Sequence, residues 1–266
     1  MTSQTKPLKL AVLIDGENAS ARIAEALFTE IATLGEATAR RIYGDASSAA
    51  LKTWVEILPK WAIHWQQNFQ NTKGKNSGDI ALVIDGMDLM HSGRFDGFCI
   101  VSSDSDFTRL ASRIREQGLP VFGFGERKTP ESFRQACTRF IYTENLTKPE
   151  PIALPEKATV TASAEPLKTA PAKPTPLNDL NKAQQLIINA LNTAEEDGDG
   201  WVSLSSVGSR VRHIYTDFDH RTYGYSKLSD LIRALPRLDI AASQTNGLKV
   251  RAKLPAKPKT AAAKTV

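Results

Sequence analysis

Apolar positions in the first half of the chain follow two alternating patterns. Short runs rich in Val, Ile, Leu and aromatic residues read as strands: LKLAVLI at 8–14, TARRIYG at 38–44, WAIHW at 61–65, FDGFCIVSS at 95–103 and LPVFGFG at 119–125. Between them lie segments of helical spacing: 19–34, SSAALKTWVEIL, 79–90, SDFTRLASRIREQG and ESFRQAC. A parallel neighbour can be reached only by a crossover, so strands separated by such helices predict an α/β, doubly wound parallel sheet. Beyond residue 178 the pattern changes. NKAQQLIINALN, LSSVGSRVRHIY and YSKLSDLIRAL read as three short helices, and DIAAS and LKVRAK flank the turn TNG at 245–247 as a hairpin. Three helices and a hairpin make a small winged-helix domain.

Composition adds the boundary between the two. Residues 149–178 carry seven of the chain's fourteen prolines among Ala and Thr, with little to bury. The expected organisation is an α/β domain at 1–148, a Pro/Ala-rich linker at 149–178, a winged-helix domain at 179–252 and a basic disordered tail at 253–266. The net charge of +5 invites a nucleic-acid partner, yet the excess is local. Residues 1–148 hold 18 basic against 17 acidic side chains, whereas 251–266 hold five basic and no acidic ones. RNA binding must therefore rest on where charges stand rather than on their total. Cys99 and Cys137 fall in apolar surroundings and read as buried thiols. No run approaches a membrane span of ~18 residues, and the N-terminal apolar run meets Asp15 and Glu17 too soon for a signal peptide. A soluble, cytoplasmic protein is expected.

The chemistry should lie beyond the carboxyl ends of the strands, where open parallel sheets bind their ligands. Asp15 ends the first strand, with Glu17 and Asn18 following; Asp104 and Asp106 follow FCIVSS; Asp79 opens its helix, with Asp85 six residues on. Each acid alone suits a helix cap or a turn. Together, carboxylates from three strand–helix junctions are explained by one requirement, a hard divalent cation such as Mg²⁺ or Mn²⁺. The basic loop NTKGKNSG sets Lys73 and Lys75 just before Asp79, where they meet a substrate backbone or only solvent; Arg109, after SDSDF, reaches phosphate only if its helix face allows. The four histidines show no metal-ligand spacing and no paired nucleophile, and there is no Walker A motif.

LIDGEN, KGKNSGDIALVIDGM and IVSSDSDFTRL, in that order, resemble the NYN domain of the PIN-like ribonuclease superfamily over about the first 145 residues. TYGYSKLSDLIRALP with its following hairpin resembles an OST-HTH domain, also called LOTUS, a winged-helix module associated with RNA binding or partner docking. The first resemblance implies a metal-dependent nuclease that cuts RNA, with Asp15, Asp79, Asp104 and Asp106 as catalytic metal ligands for Mg²⁺ or Mn²⁺ and Asn18 as the polar residue of the first turn. A catalytically silent RNA- or protein-binding regulator on the same fold is the alternative. A protein partner of the OST-HTH domain is a further possibility.

Overall fold

A computed structural model describes residues 6–45, 48–67, 77–146, 180–193, 200–243 and 247–253. Two compact units are present: the first takes the chain up to Thr175 together with Thr216–Phe218, and the second takes Pro176–Tyr215 and the chain from Asp219 onward.

The first unit is a six-stranded sheet. Its strands are β1 (Lys9–Asp15), β2 (Glu36–Gly44), β3 (His64–Gln67), β4 (Gly97–Val101), β5 (Val121–Gly125) and β6 (Arg139–Tyr142). All are parallel, in the order β3-β2-β1-β4-β5-β6. The apolar runs explain the centre: residues 10–14 of β1 and all of β4 are buried, as strands covered by helices on both faces must be. On one face α4 (Ser77–His91), α5 (Thr108–Glu116) and α6 (Glu131–Ala136) bury Leu82, Leu89, Leu110, Ile114 and Phe133 against Ala11, Leu13, Phe98 and Ile100. On the other, α1 (Ala24–Leu34) and α2 (Ala49–Val55) bury Leu27, Ile31, Leu51 and Trp54 against Val12, Ile14 and Cys99.

The doubly wound reading holds, with local differences. Residues 21–23 form a short 3-10 turn rather than the first turn of the helix, because Ser20 caps it through the Arg22 backbone N–H. The expected strand at 61–65 begins later. Residues Leu58–Trp61 form a one-turn helix, α3, closed by Ala62 in the left-handed region at φ 50°, and only then does β3 start. The edge strand β6 has no counterpart in the sequence reading. It follows α6 after two residues, and its four residues are too few to show a period. Cys99 and Cys137 are free and buried, and burial pushes both thiols up, Cys137 to about 12.

The second unit comprises α7 (Leu180–Asn192), β7 (Val202–Ser203), α8 (Leu204–Ile214), α9 (Leu228–Ala234), β8 (Leu238–Ser243) and β9 (Gly247–Ala252). The three strands form an antiparallel sheet in the order β7-β9-β8. Ala183, Ile187, Val207, Val211, Leu231, Ile232 and Val250 are buried, joining the three helices to the hairpin as a winged helix requires. Two cations expected in or beside the tail belong to the hairpin. Arg251 and Lys253 both pair with Asp239, and the Arg251 guanidinium lies over the Trp201 ring. Among the described residues, no helix is long and apolar enough to cross a membrane.

Candidate metal and nuclease centre

The strand order reverses between β1 and β4. β2 follows β1 on one side, while the chain crosses to the other side for β4, so a crevice opens beyond the carboxyl ends of this central pair. Asp15 is the last residue of β1, and residues 102–106 turn out of β4 directly beside it.

Asp15 is 3% exposed, so its carboxylate must be satisfied from within. Oδ1 accepts the backbone N–H groups of Glu17 (3.1 Å) and Asn18 (3.2 Å), which folds residues 15–18 into a tight turn. Oδ2 accepts Asn18 Nδ2 at 2.8 Å and Ser102 Oγ at 2.7 Å. The fully buried Ser102 is the clasp of the site. Its Oγ also accepts the Asp104 backbone N–H at 3.0 Å, tying the end of β1 to the turn after β4. In sequence Ser102 shows only as a hydroxyl directly after an apolar strand in FCIVSS, a signal too common to mark a site residue.

Asp104 is also a cap. Its Oδ1 accepts the Asp106 N–H at 2.9 Å and starts the 3-10 turn Ser105–Phe107 that leads into α5. Capping and a place at the crevice are thus not alternatives here. Asp106 is exposed one residue into that turn, and Asp79 lies in the first turn of α4, half-buried. The carboxyl of Asp79 is pushed up from 3.8 to about 6, first by burial and then by the charges of Asp15, Asp104, Glu17 and Asp106. Acids from three junctions therefore share one electrostatic site. Glu17 stands beside them, its Oε1 accepting the Asp45 N–H at 3.1 Å.

Other candidates fall elsewhere. Asp85 points to β2, where its Oδ2 accepts Arg41 Nη1 at 2.6 Å and the Tyr43 hydroxyl at 2.9 Å. Burial opposes the Arg41 charge, but Asp85 outweighs it and raises the guanidinium; burial and Asp85 together raise the Tyr43 phenol. Asp85 is thus a structural partner across the α4–β2 interface. Arg40 is spent on the other face, donating to the Ala37 and Trp61 carbonyls over the Phe28 ring. Arg109 is exposed on α5. Lys73 and Lys75 lie outside the described residues, as does the 149–178 linker.

The donors offered are carboxylate oxygens, which suit hard cations such as Mg²⁺ and Mn²⁺. Among the described residues, no three His, Cys, Asp or Glu side chains already stand within reach of a single ion. The carboxylates are near enough to disturb Asp79 yet are not drawn onto one point.

Comparison with known proteins identifies both units. Residues 9–146 match the family model of the NYN domain, and residues 178–250 match that of the OST-HTH/LOTUS domain. No curated protein matches the chain. Among solved structures, it is similar to a protein of unknown function from Vibrio parahaemolyticus. Identity is 22%, 53% of this chain and 96% of that one are covered, and the TM-score is 0.43. It is also similar to an uncharacterized protein from Nitrosomonas europaea, with 28% identity, coverage of 38% and 96%, and a TM-score of 0.25.

Proposed function

We propose, from the premise that this chain belongs to the NYN family of PIN-like nuclease domains and carries an OST-HTH domain after it, that it is a metal-dependent ribonuclease. The observation that carries this reading is the convergence on Asp79 of the charges of Asp15, Glu17, Asp104 and Asp106 at the switch point of the sheet. A cluster of that sign repels RNA phosphates by itself, so it makes chemical sense as a cation site.

In this proposal Asp15, Asp79, Asp104 and Asp106 would hold one or two Mg²⁺ or Mn²⁺ ions. A cation held by these residues would supply a water of lowered pKa and would offset the charge that builds on the phosphodiester as it is cut. The protein's own part is positional. Asn18 and Ser102 keep the Asp15 carboxylate in one orientation, and the Ser102 bond to the Asp104 N–H keeps the two strand ends in step. Asp79, whose carboxyl is raised by burial and by its acidic neighbours, must give up its proton to join the set. Lys73 and Lys75 are assigned to the substrate backbone, and the OST-HTH domain to choosing the RNA.

The test is cleavage of labelled single-stranded RNA by the full chain with Mn²⁺ or Mg²⁺ and with chelator. Metal-dependent cleavage that Asp104→Asn abolishes, with an unchanged fold, supports the reading. A chain that binds RNA but leaves it intact in either metal moves the function to a binding regulator.

A further inference from the structure

α4 packs on β1 and β2 and ends at His91. Past that end, at the amino ends of the strands and so opposite the carboxylate site, the same face of the sheet opens into a cleft of about 750 Å³. Its lining gathers Lys6, Lys9, Arg41 and Arg94, with His64 and Gln66 on the edge strand; Arg40 also borders it, but its guanidinium turns to the other face. Parallel pairing sets His64 beside Arg41 and Gln66 beside Tyr43, so both edge residues face the cleft side. Asp96 is the one carboxylate of the lining, and it is engaged by the Lys9 backbone N–H at 2.8 Å. Even with Asp85 counted against Arg41, the local charge is positive.

The cations divide by what holds them. Arg41 is tied to Asp85 and Arg40 to two backbone carbonyls. The side chains of Lys9 and Arg94 enter no ion pair among the described residues; Arg94 is exposed, its guanidinium 5.9 Å from the Phe95 ring centroid. They come from different elements, the start of β1 and the turn before β4. Cations spread along an open cleft suit an extended polyanion better than a single small anion, whose charge would need them focused at one point. The 15 residues of α4 separate this cleft from Asp79 by roughly 20 Å.

We propose that this cleft seats the phosphodiester backbone of single-stranded RNA, without regard to sequence, so that the substrate is held at both ends of α4. That the polyanion is RNA rests on the nuclease reading above; that the cleft takes a phosphodiester polyanion rests on its own charge and shape.

The experiment measures binding of a fluorescent single-stranded RNA to the full chain in EDTA over a KCl series. Wild type is compared with Lys9→Gln/Arg94→Gln, and with Arg94→Glu alone in case the double variant folds poorly. Arg41 is left intact, because its loss would strand the Asp85 charge. The expected result is affinity weakened several-fold at low salt, with the slope of log affinity against log salt reduced by about 1.4, at roughly 0.7 per phosphate contact for single strands. A folded variant with unchanged affinity and slope overturns the proposal. Cleavage separates it from the nuclease reading. A chain that cuts RNA while the folded double variant binds and cuts like wild type loses the seat and keeps the enzyme. A chain whose binding depends on Lys9 and Arg94 but which never cuts keeps the seat and loses the enzyme.

Discussion

Asp79 shows how one residue can cost stability where the chemistry needs it. Its carboxyl titrates near 6 in the folded chain, against an ordinary value of 3.8 that an unfolded chain would restore. Between those values the native state holds a proton that the unfolded state has released. Stability therefore falls as pH rises from about 4 to about 6 and stays lower above that. Asp79→Asn removes the term, so in chelator its melting temperature should match wild type near pH 3.5 and exceed it at pH 7. Asp79 is half-exposed and water screens it, so we expect about 1 kcal/mol, or roughly 2–4 °C. A variant no more stable than wild type at pH 7 would mean that the acids do not share one site. Because ligands must be deprotonated, Mn²⁺ affinity of the wild type should also fall as pH drops through 6. Asn18 offers a milder probe. Asn18→Ala deletes its donation to the Asp15 carboxylate and should lower metal affinity about 10-fold with little change in fold, as loss of a ligand-orienting bond does. Titration calorimetry with Mn²⁺ reads both effects.

At the scale of elements, the site depends on how closely β4 and β5 run. A Cβ built on Gly125, the last residue of β5, would come within 2.5 Å of the Ser102 carbonyl oxygen and 2.7 Å of Thr129 Oγ1. Backbone cannot yield to such a contact as a flexible side chain can. Gly125→Ala should therefore push the 102–104 turn away from Asp15, costing about 1–3 kcal/mol of stability, and should lower metal affinity more than a distant change of equal cost. A melting temperature unchanged within error would mean that the strand ends part readily enough to admit a methyl group. α4 works at the same scale in two ways. Its first turn brings Asp79 to the carboxylates, while its middle anchors on β2 through Asp85, Arg41 and Tyr43. Two acids six residues apart on one helix thus play unlike parts.

For the whole molecule, the division of labour can be tested by cutting the chain. The acids of the proposed site all lie before residue 148, so fragment 1–148 should retain metal-dependent cleavage of generic single-stranded RNA. A fragment that folds and binds Mn²⁺ yet cannot cut would show that cleavage needs residues beyond 148. Residues 254–266 retain three lysines, since Arg251 and Lys253 are held by Asp239. Deleting 254–266 should therefore lower the salt slope of RNA binding by no more than about 2. A larger fall would mean that the deletion disturbs the hairpin as well. Limited proteolysis within 149–178 should release two stable pieces.

Periodicity sufficed for the parallel sheet and the winged helix, because burial on both faces or on one stripe must be written into the order of apolar residues. The strand-end acids were equally legible, since a doubly wound sheet presents its carboxyl ends to a ligand whatever its side chains. Other features were decided only by folding. That Asp79 meets Asp15 and Asp104 while Asp85 turns to Arg41 depends on the helical phase of α4 and on which strand lies beneath it. Ser102 becomes a clasp only because β4 pairs with β1, two strands far apart in the chain. Lys9, His64 and Arg94 are unremarkable in sequence, and they share a cleft because the strand order β3-β2-β1-β4 brings three distant strand starts to one edge. Local pattern encodes what each segment buries; which charges meet is set by long-range pairing, to which no single segment holds the key.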